Sequence, residues 1–229
     1  MKLIDAQYTM HPFLGSRQMC SVLRRMGYGV NRKRVQRLMR IMNLEAIYPK
    51  PHLSKPGKDH LVFPYLLRGM AIERPNQVWG IDITFLGLHG GFAYLVALLD
   101  WFSRYVLAFE VSTTLDHHFC LSALDRALRI GRPQIHNSDQ GAQFTCKDYV
   151  GRLLKEEIQI SMDGRGRALD NVFVERLWRT VKYEDVFPKD YQTPLDCIQG
   201  LTEYFNFYNY HRPHSVLGGR TPAEVYFGK

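Results

Sequence analysis

Three acidic residues stand out for where they fall along the chain. Asp82 interrupts the run Val78-Trp79-Gly80-Ile81-Asp82-Ile83-Thr84-Phe85-Leu86, whose nearly continuous apolar content is that of a central strand covered on both faces. A carboxylate in such a strand is costly unless it is paired or holds a metal ion. Asp139 follows a short strand candidate and precedes Gln140-Gly141, where the glycine lets the chain turn sharply. Acids at the ends of neighbouring strands can converge at the carboxyl edge of an α/β sheet, the usual place for ligands. Glu175 falls in a helical stretch, 172–186, whose stripe Val174, Leu177, Trp178 and Val181 is apolar. Glu175, Arg179 and Lys182, at offsets 0, +4 and +7, form a second ridge about 100° round that helix. Taken singly, each acid also has an ordinary reading. Glu175 and Arg179, for example, make an i, i+4 surface pair worth roughly a few tenths of a kcal/mol.

Other clusters are less promising. Asp116-His117-His118-Phe119-Cys120 resembles a metal cluster, but adjacent residues on a helix point in different directions. His211 and His214 flank Pro213 in a turn, and Asp100 ends a strand where a capping or turn role suffices. Tyr204, Phe205, Phe207 and Tyr208 read as helix packing, and Asn171 as the cap of the Glu175 helix. The four cysteines (Cys20, Cys120, Cys146 and Cys197) are scattered without a CxxC pair. That pattern fits a reducing cytosol and argues against a disulfide scaffold or zinc site.

The elements that must position the acids follow from the patterning. QVWGIDITFLG (77–87), FAYLVALLD (92–100) and SRYVLAFEVS (103–112), with short connections, read as an antiparallel meander. A helix is expected over 116–129, a short strand around 134–138, a helix from about 145 to 157, then the strand IQISM. Residues 163–170 form a glycine- and arginine-rich loop, and helices over 172–186 and 194–210 close the chain. This order predicts an α/β fold with a mixed sheet.

With 229 residues, of which 45% are hydrophobic and 23% charged, the chain suits one sizeable core plus a satellite. No apolar stretch approaches the roughly 18–20 residues of a membrane span, and the start lacks the shape of a signal peptide. The net charge of +8 is concentrated at one end: residues 1–60 hold 12 basic and 3 acidic residues, leaving 18 against 19 for the remainder. Such a basic head suggests a module for polyanions. Within it, Met19, Val22, Leu23 and Met26 after the N-cap candidate Ser16 predict one helix, ended by Gly27 and Gly29. Asn31 is placed to cap a second, with Val35, Leu38, Met39 and Met42 buried and Lys33, Arg34, Arg37 and Arg40 outward. Helix, glycine turn and basic helix outline a helix-turn-helix, whose second helix can enter a major groove, and any small helical hairpin shares the same spacing. The expected organisation is a DNA-binding segment over 1–50, a proline-rich linker over 51–71 and a core over 72–229.

WGIDIT, NSDQGAQF and LDNVFVERLWRTVKYE together resemble the signature blocks of the orfB-type transposases of two-frame, insertion-sequence-three-like bacterial elements, within the retroviral-integrase-like superfamily. Thirty-five residues separate Asp139 from Glu175, the spacing of that group, and Lys182 also matches its pattern. The tail FYNYHRPHSVLGGRTPAEVY and the basic head are similar to the family's flanking blocks. Departures occur at Ile81 and at Gly218-Gly219, outside the three acids, and the chain begins short of the usual start.

The resemblance implies an RNase H-like core with a helix-turn-helix-like head and a C-terminal helical extension. It also implies metal-dependent DNA cleavage and strand transfer at insertion-sequence ends. On it, Asp82, Asp139 and Glu175 form a catalytic and metal-binding triad for two Mg²⁺ ions, with Mn²⁺ able to substitute. Lys182 and Arg179 would steady DNA phosphates, as would Lys33, Arg34, Arg37 and Arg40 in the head. The implied partners are double-stranded DNA at transposon ends and target, a second copy of the chain on DNA, and an upstream-frame helix-turn-helix protein; the implied location is the bacterial cytoplasm, at the nucleoid. A nuclease on the same fold, or a truncated derivative that only binds DNA, are the alternatives.

Overall fold

A computed structural model describes residues 1–48, 61–164 and 171–229. The chain divides into two compact units, Met1–Lys55 and Pro56–Lys229.

The first unit contains three helices: α1 (Lys2–Met10), α2 (Ser16–Arg25) and α3 (Arg32–Ile41). Ile4, Leu14, Met19, Cys20, Leu23, Val35 and Met39 form its small core. The Asn31 side chain accepts from the Arg34 N–H (2.8 Å) and so caps α3 as its sequence predicts. The expected stripe of α2 needs correction. Cys20 is buried, Val22 is half-buried and Met26 is exposed, so the inward face is rotated. Ser16 is the first helical residue, with Gly15 at the cap position. Helix α1 carries too few inward apolar residues for periodicity to reveal it, since only Ile4 is buried.

The second unit is built on a five-stranded mixed sheet in the order β3-β2-β1-β4-β5. Strands β1 (Val78–Leu88), β2 (Gly91–Asp100) and β3 (Val106–Ser112) form the antiparallel meander. Strands β4 (Ile135–Ser138) and β5 (Gln159–Met162) run parallel to β1. Helix α4 (His118–Leu128) leads from β3 to β4, and α5 (Ala142–Thr145) and α6 (Lys147–Lys155) lead from β4 to β5. After β5 come α7 (Val172–Val181), a π turn over Lys182–Val186, α8 (Phe187–Lys189), α9 (Pro194–Tyr210), a 3₁₀ turn over Ser215–Leu217 and α10 (Pro222–Phe227).

Alternation along the central strands divides the core. Trp79, Ile81, Val96 and Leu98 pack under α4 and α6 on one face. Leu86, Leu95, Ala97 and Leu99 pack under α7 and α9 on the other. Helix α9 has its bounds written in Thr193-Pro194 and Asp196, which form a capping box with proline in the first turn.

Three expected elements change. The third strand starts three residues later, because Arg104 adopts a left-handed φ of 64° in the turn after β2. The helix over 145–157 is broken at Cys146, whose extended ψ of 152° separates α5 from α6. The helix over 172–186 leaves the α pattern at Lys182, and its π turn carries Asp185 into the interior. There Asp185 accepts from the Tyr191 hydroxyl (2.6 Å) and pairs with Lys189 (2.7 Å).

Of the proline-rich stretch, 51–60 lies outside the described residues, as does 165–170 of the glycine- and arginine-rich loop. Residues 61–71 lie against the core: Leu67 packs with Val78, Trp101 and Ile135, and the Leu66 N–H donates to Ser161 Oγ (3.0 Å). No helix among the described residues is long and apolar enough to cross a membrane.

Candidate active site

Asp82 and Asp139 are brought to the same edge of the sheet because β1 and β4 are parallel neighbours. The last paired residues are Gly80 and Asn137, and each acid lies two positions beyond its own partner in that pair. The edge is clasped by Asn137 Nδ2, which donates to Asp163 Oδ1 (2.8 Å), and by Gln140 Nε2, which donates to the Asp163 carbonyl (2.9 Å).

Glu175 arrives on α7, and Gly80 is what admits that helix. A Cβ at position 80 would lie 2.3 Å from Trp101 Nε1, 2.9 Å from Val174 Cγ2 and 3.0 Å from Asn171 Oδ1. Val174, Leu177, Trp178 and Val181 seat the helix on the sheet, as the stripe predicts. Two polar bonds then set its position. Asn171 occupies the cap position, but its Nδ2 donates across to the Ile81 carbonyl (3.1 Å) instead of its oxygen capping the helix. The Trp178 indole N–H donates to Asp82 Oδ2 (2.9 Å). Sequence reasoning assigned Trp178 to the core alone. Its bond to Asp82 and the clearance at Gly80 carry no periodic signal.

Burial is the main force raising the Asp82 carboxyl, which reaches about 6; the negative charges of Asp139 and Glu175 add to the rise, while the bonds from Trp178 and the Ile83 backbone oppose it. Asp139 keeps surface access yet is flanked by protein on most sides. Its carboxyl is raised by that partial desolvation, against the pull of the Gly141 N–H on Oδ1 (2.8 Å). The three acids therefore lie within electrostatic reach at one sheet edge. Among the described residues, no three His, Cys, Asp or Glu side chains stand close enough to form a finished ion cage. The donor set is nonetheless all carboxylate oxygen, and its mutual repulsion is what a hard divalent cation relieves.

Arg179 is exposed on α7 with its guanidinium 6.0 Å from the Tyr183 ring, and Lys182 begins the π turn. In the first unit, Lys33, Arg34, Arg37 and Arg40 all lie on the exposed side of α3, away from Val35 and Met39. Asp100 accepts from the Ser103 N–H and hydroxyl and from the Asn76 N–H, which holds the turn after β2.

An integrase core domain matches residues 72–168, a second domain of the same description matches 156–222, and an HTH-like domain matches 1–52. The putative transposase InsK for insertion sequence element IS150 of Escherichia coli (strain K12) is 32% identical over 215 residues, covering 92% of this chain and 76% of the relative. The chain belongs to the insertion-sequence transposases with an integrase core. The transposase for insertion sequence element IS904 of Lactococcus lactis is 29% identical, with coverage of 92% of this chain and 86% of that one. Among solved structures, the catalytic core of HTLV-2 integrase in complex with magnesium superposes with a TM-score of 0.54 at 21% identity, over 67% of this chain and 97% of that one. The core of BIV integrase gives 0.55 at 18%, over 67% and 95%. These likenesses establish the RNase H-like fold of this transposase-family chain, and its family is one of DNA transposition and integration by polynucleotidyl transfer.

Proposed function

We propose that the chain cuts DNA strands at insertion-sequence ends and joins the freed 3′ ends to target DNA, with Asp82, Asp139 and Glu175 as its catalytic acids. The observation that carries this reading is the half-buried Asp82 carboxyl at the carboxyl end of its strand, raised to about 6 by burial with the charges of Asp139 and Glu175 adding to the rise. Those three side chains would hold two divalent cations, Mg²⁺ or Mn²⁺ in its place. Such a pair, when bound, supplies charge neutralisation at phosphorus and activation of the attacking oxygen.

The protein's own part is positioning. Trp178 fixes the orientation of Asp82, and Asn171 and Gly80 set the seat of the helix that presents Glu175. Arg179, exposed one turn from Glu175, and Lys182, half-buried where the π turn begins, bind backbone phosphates of the strand being processed. Lys33, Arg34, Arg37 and Arg40 give the head over 1–50 its grip on the duplex, joined through 51–71 to a catalytic core over 72–229. Double-stranded DNA, a second copy of the chain and an upstream-frame helix-turn-helix protein are its partners, in the cytoplasm at the nucleoid.

The test is a labelled terminal duplex incubated with target DNA and Mn²⁺. The native chain is expected to give joined product. Asp82→Asn, Asp139→Asn and Glu175→Gln are each expected to give neither cleavage nor joining while still binding DNA. Activity retained in any one variant removes that acid from the site, and hydrolysed ends without joined product would make the protein a nuclease.

A further inference from the structure

Helix α7 has a second polar side. Arg176 follows Glu175 and is turned about 100° away from it. With Phe173 and Thr180 it lines a cavity of about 320 Å³ that also receives Arg104, Arg212 and His214. The cations come from three separate parts of the chain: the turn after β2, α7 and the segment after α9.

Their existing partners differ. Arg212 is answered by Glu184, which accepts from its Nε (2.8 Å) and Nη2 (2.5 Å), and its Nη1 lies 3.2 Å from His214 Nε2. His214 is 8% exposed, and its burial and the Arg212 charge push its imidazole down to about 4, so it accepts this bond as a neutral ring. Arg104 has no such answer. Its guanidinium lies 3.7 Å from the centre of the Phe173 ring, and its Nη1 is shut away from water without a hydrogen bond. Asp100 attracts it, but the Asp100 oxygens already accept from Asn76 and Ser103. Neither Arg104 nor Arg176 forms an ion pair among the described residues, and the two repel each other.

Arginine side chains converging on one cavity, two of them without an ion pair, call for an anion that accepts from several directions. The tetrahedral oxygens of a phosphate do this, and guanidinium is the side chain best shaped to bind them. We infer that the cavity between Arg104, Arg176 and Arg212 is a phosphate-binding site, occupied during the reaction by a DNA backbone phosphate other than the one being cut. The phosphate chemistry stands on the cavity alone; its assignment to DNA rests on the proposed function. Arg176 and Glu175 being neighbours on one helix, a duplex gripped here would be held close to the acid edge.

The test uses the full chain and two probes. Duplex DNA is titrated at several salt concentrations with the native protein and with Arg176→Gln, Arg104→Gln and Asp82→Asn; inorganic phosphate is assayed by its effect on the melting temperature. Arg176→Gln is expected to weaken DNA binding several-fold and to reduce the slope of log K against log salt by about 1. Phosphate is expected to raise the melting temperature of the native chain but not of Arg176→Gln. Native slopes in Arg176→Gln and in a folded Arg104→Gln would overturn the DNA assignment, and an equal phosphate effect in all variants would overturn the site itself. Cleavage by Asp82→Asn would overturn the triad and leave these binding readouts, and the inference, untouched.

Discussion

Strands β1 and β2 are paired neighbours at the centre of one sheet, yet they treat the α7 face in opposite ways. Strand β2 fills it with Leu95, Ala97 and Leu99, all buried. Opposite Leu99 and Ala97, β1 offers Gly80 and Asp82. One strand makes core; its partner gives up packing at one position to admit a helix and at the next to seat a carboxyl group. That local sacrifice separates residues that hold the fold from those proposed to place the chemistry, and substitutions on the two strands should fail in different ways.

The largest effect is expected at Asp82. Asp82→Asn should lower divalent-dependent cleavage by at least about 10³-fold, measured with labelled terminal DNA, and should abolish any melting-temperature rise that Mg²⁺ gives the native chain. On β2, Leu99→Ala leaves a cavity under α7 and is expected to cost about 3 kcal/mol, read by urea denaturation. At the paired position, Gly80→Ala fails by crowding, since Trp101 Nε1 would lie 2.3 Å from the new Cβ. It should cost about 2 kcal/mol and also displace α7, so activity should fall further than stability alone explains. If Gly80→Ala is as stable and active as the native protein, the account of β1 as the admitting strand is wrong.

Two smaller effects sharpen the contrast. The Asp82 carboxyl is raised to about 6, above its unfolded value, so the native state binds the proton more tightly than the unfolded state. Stability contributed by this group is therefore present at low pH and lost as pH rises from about 4 through 6. Asp82→Asn should be more stable than the native chain at pH 7.5, with the gap closing by about pH 4 in thermal melts without divalent ions. Trp178→Phe removes the bond that lowers the Asp82 carboxyl, which should rise further. The acid limb of the pH–rate profile is then expected to move to higher pH; an unmoved limb would detach Trp178 from the site.

Much of this was legible in the sequence where one local rule decided the outcome. Thr193-Pro194 with Asp196 sets the start of α9, Asn31 that of α3, and the apolar run around Asp82 its central strand. What escaped depends on backbone geometry or on distant segments. The helical periodicity continues through Cys146 although its backbone is extended, and Arg104 gives no compositional sign of its left-handed φ. That the two aspartates could converge at a sheet edge was open to sequence reasoning, but only the family's spacing joined Glu175 to them, and the parallel pairing of β1 with β4 is invisible to periodicity. The bond from Trp178 to Asp82 was hidden because a tryptophan in an apolar stripe reads as core. The gathering of Arg104, Arg176 and Arg212 was hidden because they lie far apart along the chain.

The upward-shifted Asp82 has a consequence for how copies of this element decay. A carboxyl group that burdens the fold can be lost without bringing the molecule down. On the proposed function, a copy neutralised at that position would still accumulate in folded form and would grip the same DNA. It would occupy that DNA against its intact siblings, and inherited damage of this kind would turn an element into a brake on its own spread.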